Sequence, residues 1–101
     1  MLKDVHQGDI LKIERVKLPV LVVSKDFFNR SGEIIGCPIY DIGEKGALRI
    51  HIEVNSLKGY VHCEKLALLD LSVRGFSKLC SIPVSDIINI TDAVQSIFDY
   101  I

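Results

Sequence analysis

Leu48-Arg49-Ile50-His51-Ile52-Glu53-Val54 alternates apolar and polar side chains without a break. A period of two puts Leu48, Ile50, Ile52 and Val54 on one face and Arg49, His51 and Glu53 on the other. That is a strand with one face in a core and one in water. Upstream, Glu33-Ile34-Ile35-Gly36-Cys37-Pro38-Ile39-Tyr40 predicts another strand, with Gly36 marking a bulge or a close backbone approach and Pro38 an edge position. Before it, Pro19-Val20-Leu21-Val22-Val23 is β-branched and continuous, as in a strand buried on both faces. The turn signal Gly8-Asp9 opens a first strand over about 9–16, which Lys17-Leu18-Pro19 ends. Residues 24–32 are polar at both ends around Phe27-Phe28, a connecting loop pinned by its aromatic pair and with room for one helical turn.

Downstream, Asn55-Ser56-Leu57-Lys58-Gly59 reads as a turn and Tyr60-Val61-His62-Cys63-Glu64 as extended chain. Lys65 to Leu71 is ambiguous by period, and Val73 through Ile82 predicts a further strand with a bulge at Gly75. After Pro83 the spacing changes: Val84, Ile87, Ile88, Thr91, Val94, Ile97, Phe98 and Ile101 recur at three and four, one face of a helix over about 84–100. Ser85 or Ser81 is the expected N-cap, with Asp86, Asp92 and Asp99 on the opposite side. Five or six short strands followed by one amphipathic helix predict a mainly β domain, a small SH3-like barrel over about 1–82 with a C-terminal helix packed on it.

Composition agrees with one domain spanning 1–101. Half the chain is apolar (49%) and a quarter charged (25%), which excludes a disordered polymer. The apolar runs stop at strand length, far short of the ~20 residues of a membrane helix. The start of the chain carries no export signal, so the expected location is cytoplasmic. Cys37, Cys63 and Cys80 form no C-x-x-C pair and sit among apolar neighbours, as small buried hydrophobes do, so neither a disulfide, a metal nor a cofactor is expected. All 12 basic groups precede residue 83, whereas Asp86, Asp92 and Asp99 lie beyond it. The body is therefore basic-leaning, which permits contact with a short nucleic acid without making a general nucleic-acid coat.

Gly8-Asp9-Ile10, Pro19-Val20-Leu21-Val22-Val23-Ser24, Phe28-Asn29-Arg30-Ser31-Gly32 and Cys37-Pro38-Ile39 stand in an order and spacing that resembles the MazF/PemK (Kid-like) toxin family. Gly59-Tyr60-Val61-His62-Cys63-Glu64, Leu69-Asp70, Arg74-Gly75 and the terminal helix resemble its second half. The resemblance implies a CcdB/MazF-type barrel, a homodimer, and a ribosome-independent endoribonuclease, or mRNA interferase. Such a toxin cuts single-stranded RNA at short sequences, leaves a cyclic phosphate and is silenced by a cognate antitoxin. Two departures stand out. Typical members carry Arg before the Pro of the second strand and Thr or Ser after the Pro-Ile of the third, both acting at the phosphate; here those positions are Leu18 and Tyr40. The loop before Pro19 is also shorter than usual in the family.

The PemK-like branch places an Arg and an Asp two residues apart as acid and base, and the matching residues here are His62 and Glu64. Two apart on a strand is the same face, so both side chains can reach one phosphodiester. Attack by a 2′-hydroxyl needs a base, an acid for the leaving oxygen and a cation for the phosphorane. Glu64 as base, His62 as acid and Lys17 or Arg74 as the cation supply these three. His51 and Glu53 form a second same-face pair, an RNA-contacting edge. Asn29, Arg30 and Ser31 are candidate phosphate contacts, Tyr40 a base-stacking ring, and Arg74 and Lys78 further RNA contacts. Several have a plainer alternative: a wet barrel face for His62, a surface pair with Lys65 or Lys58 worth at most ~1 kcal/mol for Glu64, a ring buried at the dimer interface for Tyr40, ordinary turn chemistry for Asn29 to Ser31, and a solvated loop cation for Lys17. A non-catalytic binding module, which dimerises and holds an antitoxin or another partner, remains the alternative to the nuclease. A weaker third is a binding poison of the CcdB kind.

Overall fold

The structure, a computed structural model, describes residues 4–98. Seven strands and two helices follow one another: β1 (Asp9–Ile13), β2 (Val20–Val22), α1 (Asp26–Asn29), β3 (Glu33–Tyr40), β4 (Arg49–Val54), β5 (Leu57–His62), β6 (Ala67–Asp70), β7 (Phe76–Ser81) and α2 (Val84–Ser96). The strands join in the order β4-β5-β3-β2-β1-β7, with β6 beside β3, and every pairing is antiparallel. This is a curled half-barrel carrying a C-terminal helix, as its short strands and terminal amphipathic pattern predict. Among the described residues no ladder joins β4 to β7.

Both faces of the β1–β2 region are covered. Ile10, Leu21, Cys37, Ile39, Ile52, Val61 and Cys63 pack with Ile90 of α2 in one core, and Leu11, Ile13, Val20, Val22 and Ile34 pack with Val5 and Leu71 in a second. All three residues of β2 are buried, as its unbroken apolar run requires. Each such aliphatic side chain contributes roughly 1.5–3 kcal/mol.

Several boundaries differ from the sequence reading. β1 ends at Ile13 because Arg15 takes a positive φ of 66° in the turn that follows. Pro38 lies inside the sheet, opposite Val20 of β2, and not at an edge. Ile39 donates its N–H to Pro19 of the β2 side, so the neighbouring Pro38 nitrogen points the other way. There β6 has ended at Gly36 and β5 begins at Ile39, so the missing N–H deprives no partner. Gly36 is a close approach: a Cβ there would stand 2.3 Å from Val20 Cγ1.

The β4–β5 turn is Asn55-Ser56, shorter than the five-residue turn expected, with Asn55 at a φ of 55°. The ambiguous 65–71 stretch supplies β6, and β7 begins at Phe76 rather than Val73, with Gly75 in the turn before it. Phe28 is half-buried, but Phe27 is 72% exposed and pins nothing. Pro83 holds the N-cap position of α2 with no side-chain cap, so neither Ser81 nor Ser85 fills that role. Asp99, Ile101 and the end of the expected 84–100 helix lie outside the described residues.

Candidate functional site

The hairpin register builds the site. Asn55-Ser56 pairs Val54 with Leu57, which sets Ile52 opposite Gly59, His51 opposite Tyr60 and Arg49 opposite His62. Alternation turns Ile50, Ile52 and Val61 inward and leaves Arg49, His51, Glu53, Lys58, Tyr60 and His62 on the outer face. Tyr40 joins that face because it pairs with Tyr60 across β3–β5. Gly59 permits the crossing: a Cβ there would meet the Tyr40 carbonyl oxygen at 2.5 Å.

On this face the Tyr40 ring stacks on the His62 imidazole, with centroids 3.9 Å apart and planes inclined by 27°. Lys65 Nζ donates to the Tyr40 hydroxyl at 3.0 Å and lies 4.7 Å from its ring centroid. Arg49 reaches from β4 to an ion pair with Glu64 in the turn after β5. Two atoms of the cluster, His62 Nδ1 and Glu64 Oε1, are buried without a hydrogen-bond partner among the described residues. A buried polar atom in that state is costly unless something supplies its partner. Beside the cluster, His51 tilts onto Tyr60 at 5.1 Å, and Glu53 stands opposite Lys58.

Electrostatics set the charge states. Burial lowers the pKa of His62, and the cations Arg49 and Lys65 lower it further against the opposing pull of Glu64. The neutral imidazole therefore prevails at neutral pH. Burial pushes Glu64 upward, but its own backbone N–H and the Arg49 guanidinium outweigh that and hold the carboxyl below its usual range. Cys63, between the two, points inward, and burial pushes its thiol up to about 11; Cys37 goes to about 12 for the same reason. These thiols are inert, as small core residues are.

The structure thus brings His62, Glu64, Tyr40, His51 and Glu53 to one face and adds Arg49 and Lys65, which sequence reasoning missed. Asn29, Arg30, Ser31, Arg74 and Lys78 lie elsewhere. Asn29 is fully buried, its amide donating to the carbonyls of Ser24 at 3.0 Å and Val5 at 3.3 Å while its oxygen accepts from Ser24 Oγ. Its side chain closes the loop and offers nothing to a ligand. Arg30 and Ser31 are exposed just before β3, a strand length of roughly 23 Å from Tyr40 at its far end. Arg74 donates to the Glu14 carbonyl, and Lys78 pairs with Asp9 at 3.3 Å on β7, the opposite end of the strand order from β4. Lys17 is exposed before β2, its carbonyl accepting from Lys12 Nζ, and it has no ion-pair partner among the described residues. Leu18 lines a groove of about 330 Å³ with Pro19, Ile39, Asp41, Leu57 and Lys58. Among the described residues no group of three or more His, Cys, Asp or Glu is placed to hold a metal ion.

The family model described as PemK-like, MazF-like toxin of type II toxin–antitoxin system matches residues 6–98. The chain belongs to the PemK/MazF toxin family. No curated protein matches it by sequence. Solved PemK/MazF structures share its fold. MazF in a MazE–MazF complex from Deinococcus radiodurans superposes with a TM-score of 0.84 at 18% identity, over 93% of this chain and 95% of that one. An endoribonuclease in complex with its cognate antitoxin from Mycobacterial species gives 0.79 at 16%, over 93% and 94%. The toxin MazF-mt6 of Mycobacterium tuberculosis gives 0.73 at 17%, over 92% and 99%. Among the described residues no helix is long and apolar enough to cross a membrane.

Proposed function

We propose that this PemK/MazF member is a sequence-specific, metal-independent endoribonuclease toxin that cuts single-stranded RNA in the cytoplasm, acts as a homodimer and is neutralised by a cognate antitoxin. The observation that carries the reading is one cluster in which two buried, unpartnered atoms, His62 Nδ1 and Glu64 Oε1, lie with two cations, Arg49 and Lys65. A ribose phosphodiester brings what such a cluster lacks: an anion for the net positive charge that two cations leave beside one carboxylate, and a hydroxyl proton for an acceptor.

The neutral imidazole of His62 takes the 2′-hydroxyl proton as the oxygen attacks phosphorus. Its lowered pKa suits acceptance rather than the donation assigned from sequence. Arg49, and not Lys17 or Arg74, balances the charge of the phosphorane, and Glu64 orients the guanidinium instead of acting as the base. The bond from phosphorus to the 5′-oxygen breaks, the leaving oxygen takes a proton from the Lys65 ammonium, and a 2′,3′-cyclic phosphate remains. His51, Tyr60 and Glu53 extend the same face toward neighbouring nucleotides, where the rings can stack bases. Val84 and Ile88, 68% and 52% exposed on α2, are apolar surface of the kind a second chain or an antitoxin covers.

Two observations favour a second reading, a toxin that binds without cutting: Arg49 and Glu64 already neutralise each other, and Leu18 and Tyr40 stand where the family likeness implies a phosphate-contacting Arg and Thr. An RNA carrying one 2′-deoxy nucleotide at a mapped cut site separates the two. The nuclease loses that cut and keeps its others, whereas a binding module produces no cut on either RNA.

A further inference from the structure

We propose that Tyr40 is a positioning residue for His62, its ring clamping the imidazole from one side and its hydroxyl tethered by Lys65. Three observations carry this. The rings are 3.9 Å apart and inclined by only 27°, a stacked contact that fixes the imidazole plane. The tether is specific, Lys65 Nζ donating to the hydroxyl at 3.0 Å. The imidazole so held keeps Nδ1 buried without a partner, an arrangement a freely rotating ring would relax by turning that nitrogen to water. Tyr40 occupies the position where the resemblance places a small hydroxyl residue at the phosphate, so in this chain an aromatic clamp replaces a direct contact.

The charged and titratable groups around His62 are Tyr40 from β3, Arg49 from β4, and Glu64 with Lys65 from the turn after β5. Removing the Tyr40 ring opens the imidazole to water and frees Lys65. Burial is the leading cause of the lowered His62 pKa, so the ring's loss raises it toward the usual value of about 6.5. Removing the hydroxyl alone keeps the ring and cuts the tether.

The clamp rests on the proposed catalytic reading only for its activity arm, so two measurements are paired. The first follows the His62 ring proton by NMR against pH in the full chain without RNA, in wild type, Tyr40→Phe, Tyr40→Ala and Lys65→Met, with His6 as the internal reference. Tyr40→Ala is expected to move the His62 midpoint up toward about 6.5, Tyr40→Phe and Lys65→Met to move it less, and the His6 midpoint to stay put. Unchanged His62 titration in a folded Tyr40→Ala protein overturns the clamp. The second is the pH dependence of kcat/KM on a short RNA. The acid limb is expected to shift upward in Tyr40→Ala, with kcat down by about tenfold to a hundredfold and KM within about threefold. An upward shift of the NMR midpoint in a protein that cuts no RNA upholds the clamp and defeats the nuclease; cleavage with an unmoved acid limb and midpoint does the reverse.

Discussion

Arg49 carries two tasks in one side chain. Its guanidinium holds the Glu64 carboxylate, and as a flat fork of donors it also suits a phosphate. Arg49→Gln is expected to lower kcat by about 10²–10³, the loss typical of one removed transition-state donor. Arg49→Lys is expected to recover little of it, because a point charge does not reproduce the fork; single-turnover cleavage on a short RNA measures both. A second expectation concerns pH. The acceptor form of His62 is the neutral imidazole and its pKa is lowered, so activity persists as pH falls below about 6.5 and fails only at the lower folded value. An acid limb above about 6.5 in the kcat/KM profile would contradict this. The residues at this scale were half legible. His62 and Glu64 stand two apart in one strand pattern, which local spacing reveals, and the family likeness singles them out. Arg49 and Lys65 did not emerge because their roles depend on cross-strand register, and placing the turn at Asn55–Gly59 instead of Asn55-Ser56 removes that register. Counting back from the true turn sets Arg49 opposite His62.

At the scale of elements, the sheet's closest contacts depend on two glycines. Gly36→Ala would drive a methyl to 2.3 Å from Val20 Cγ1 and 3.1 Å from the Leu21 carbonyl. A loss of about 1–3 kcal/mol is expected, seen as a lower midpoint in urea at unchanged slope. Gly59→Ala aims its methyl at the Tyr40 carbonyl, so it is expected to harm the site as well as the sheet. The His6–Asp26 pair ties the chain before β1 to α1 at 2.8 Å. Donating to the Asp26 carboxylate raises the His6 pKa, and accepting that same bond lowers the pKa of Asp26. The His6 contribution is full below about 6.5 and fades as pH rises through its higher folded value; the Asp26 contribution fades as pH falls through its lowered one. The tie is therefore tightest at mildly acid pH, and the protection of the Gln7 amide relative to its intrinsic exchange rate, greatest there and smaller at either side, would register it. Period-two alternation placed β4 well, because it turns the row of Ile50 and Ile52 into the core; β3, read from its apolar run, sends Ile34 to one core and Cys37 and Ile39 to the other. The interior position of Pro38 was hidden, because the handover from β6 to β5 that excuses its missing N–H is a feature of topology alone.

For the molecule as a whole, a half-barrel of 101 residues has a limited core, and α2 leaves Val84 and Ile88 exposed on its surface. The proposed homodimer predicts a light-scattering mass of about twice 11.3 kDa at micromolar concentration; a mass near 11.3 kDa would contradict it. The fold class was legible because strand alternation, turn residues and the change of period after Pro83 agree with one another. What the face of β3, β4 and β5 does was legible only through the family likeness. The central claim is that this face cuts RNA through His62. Its most direct test incubates the purified chain with a long unstructured RNA in EDTA, beside His62→Gln, and sequences the fragment ends. The account predicts discrete cuts at one short sequence, ending in 2′,3′-cyclic phosphate and reduced at least a hundredfold by the substitution; no cuts, or cuts that His62→Gln leaves intact, would contradict it.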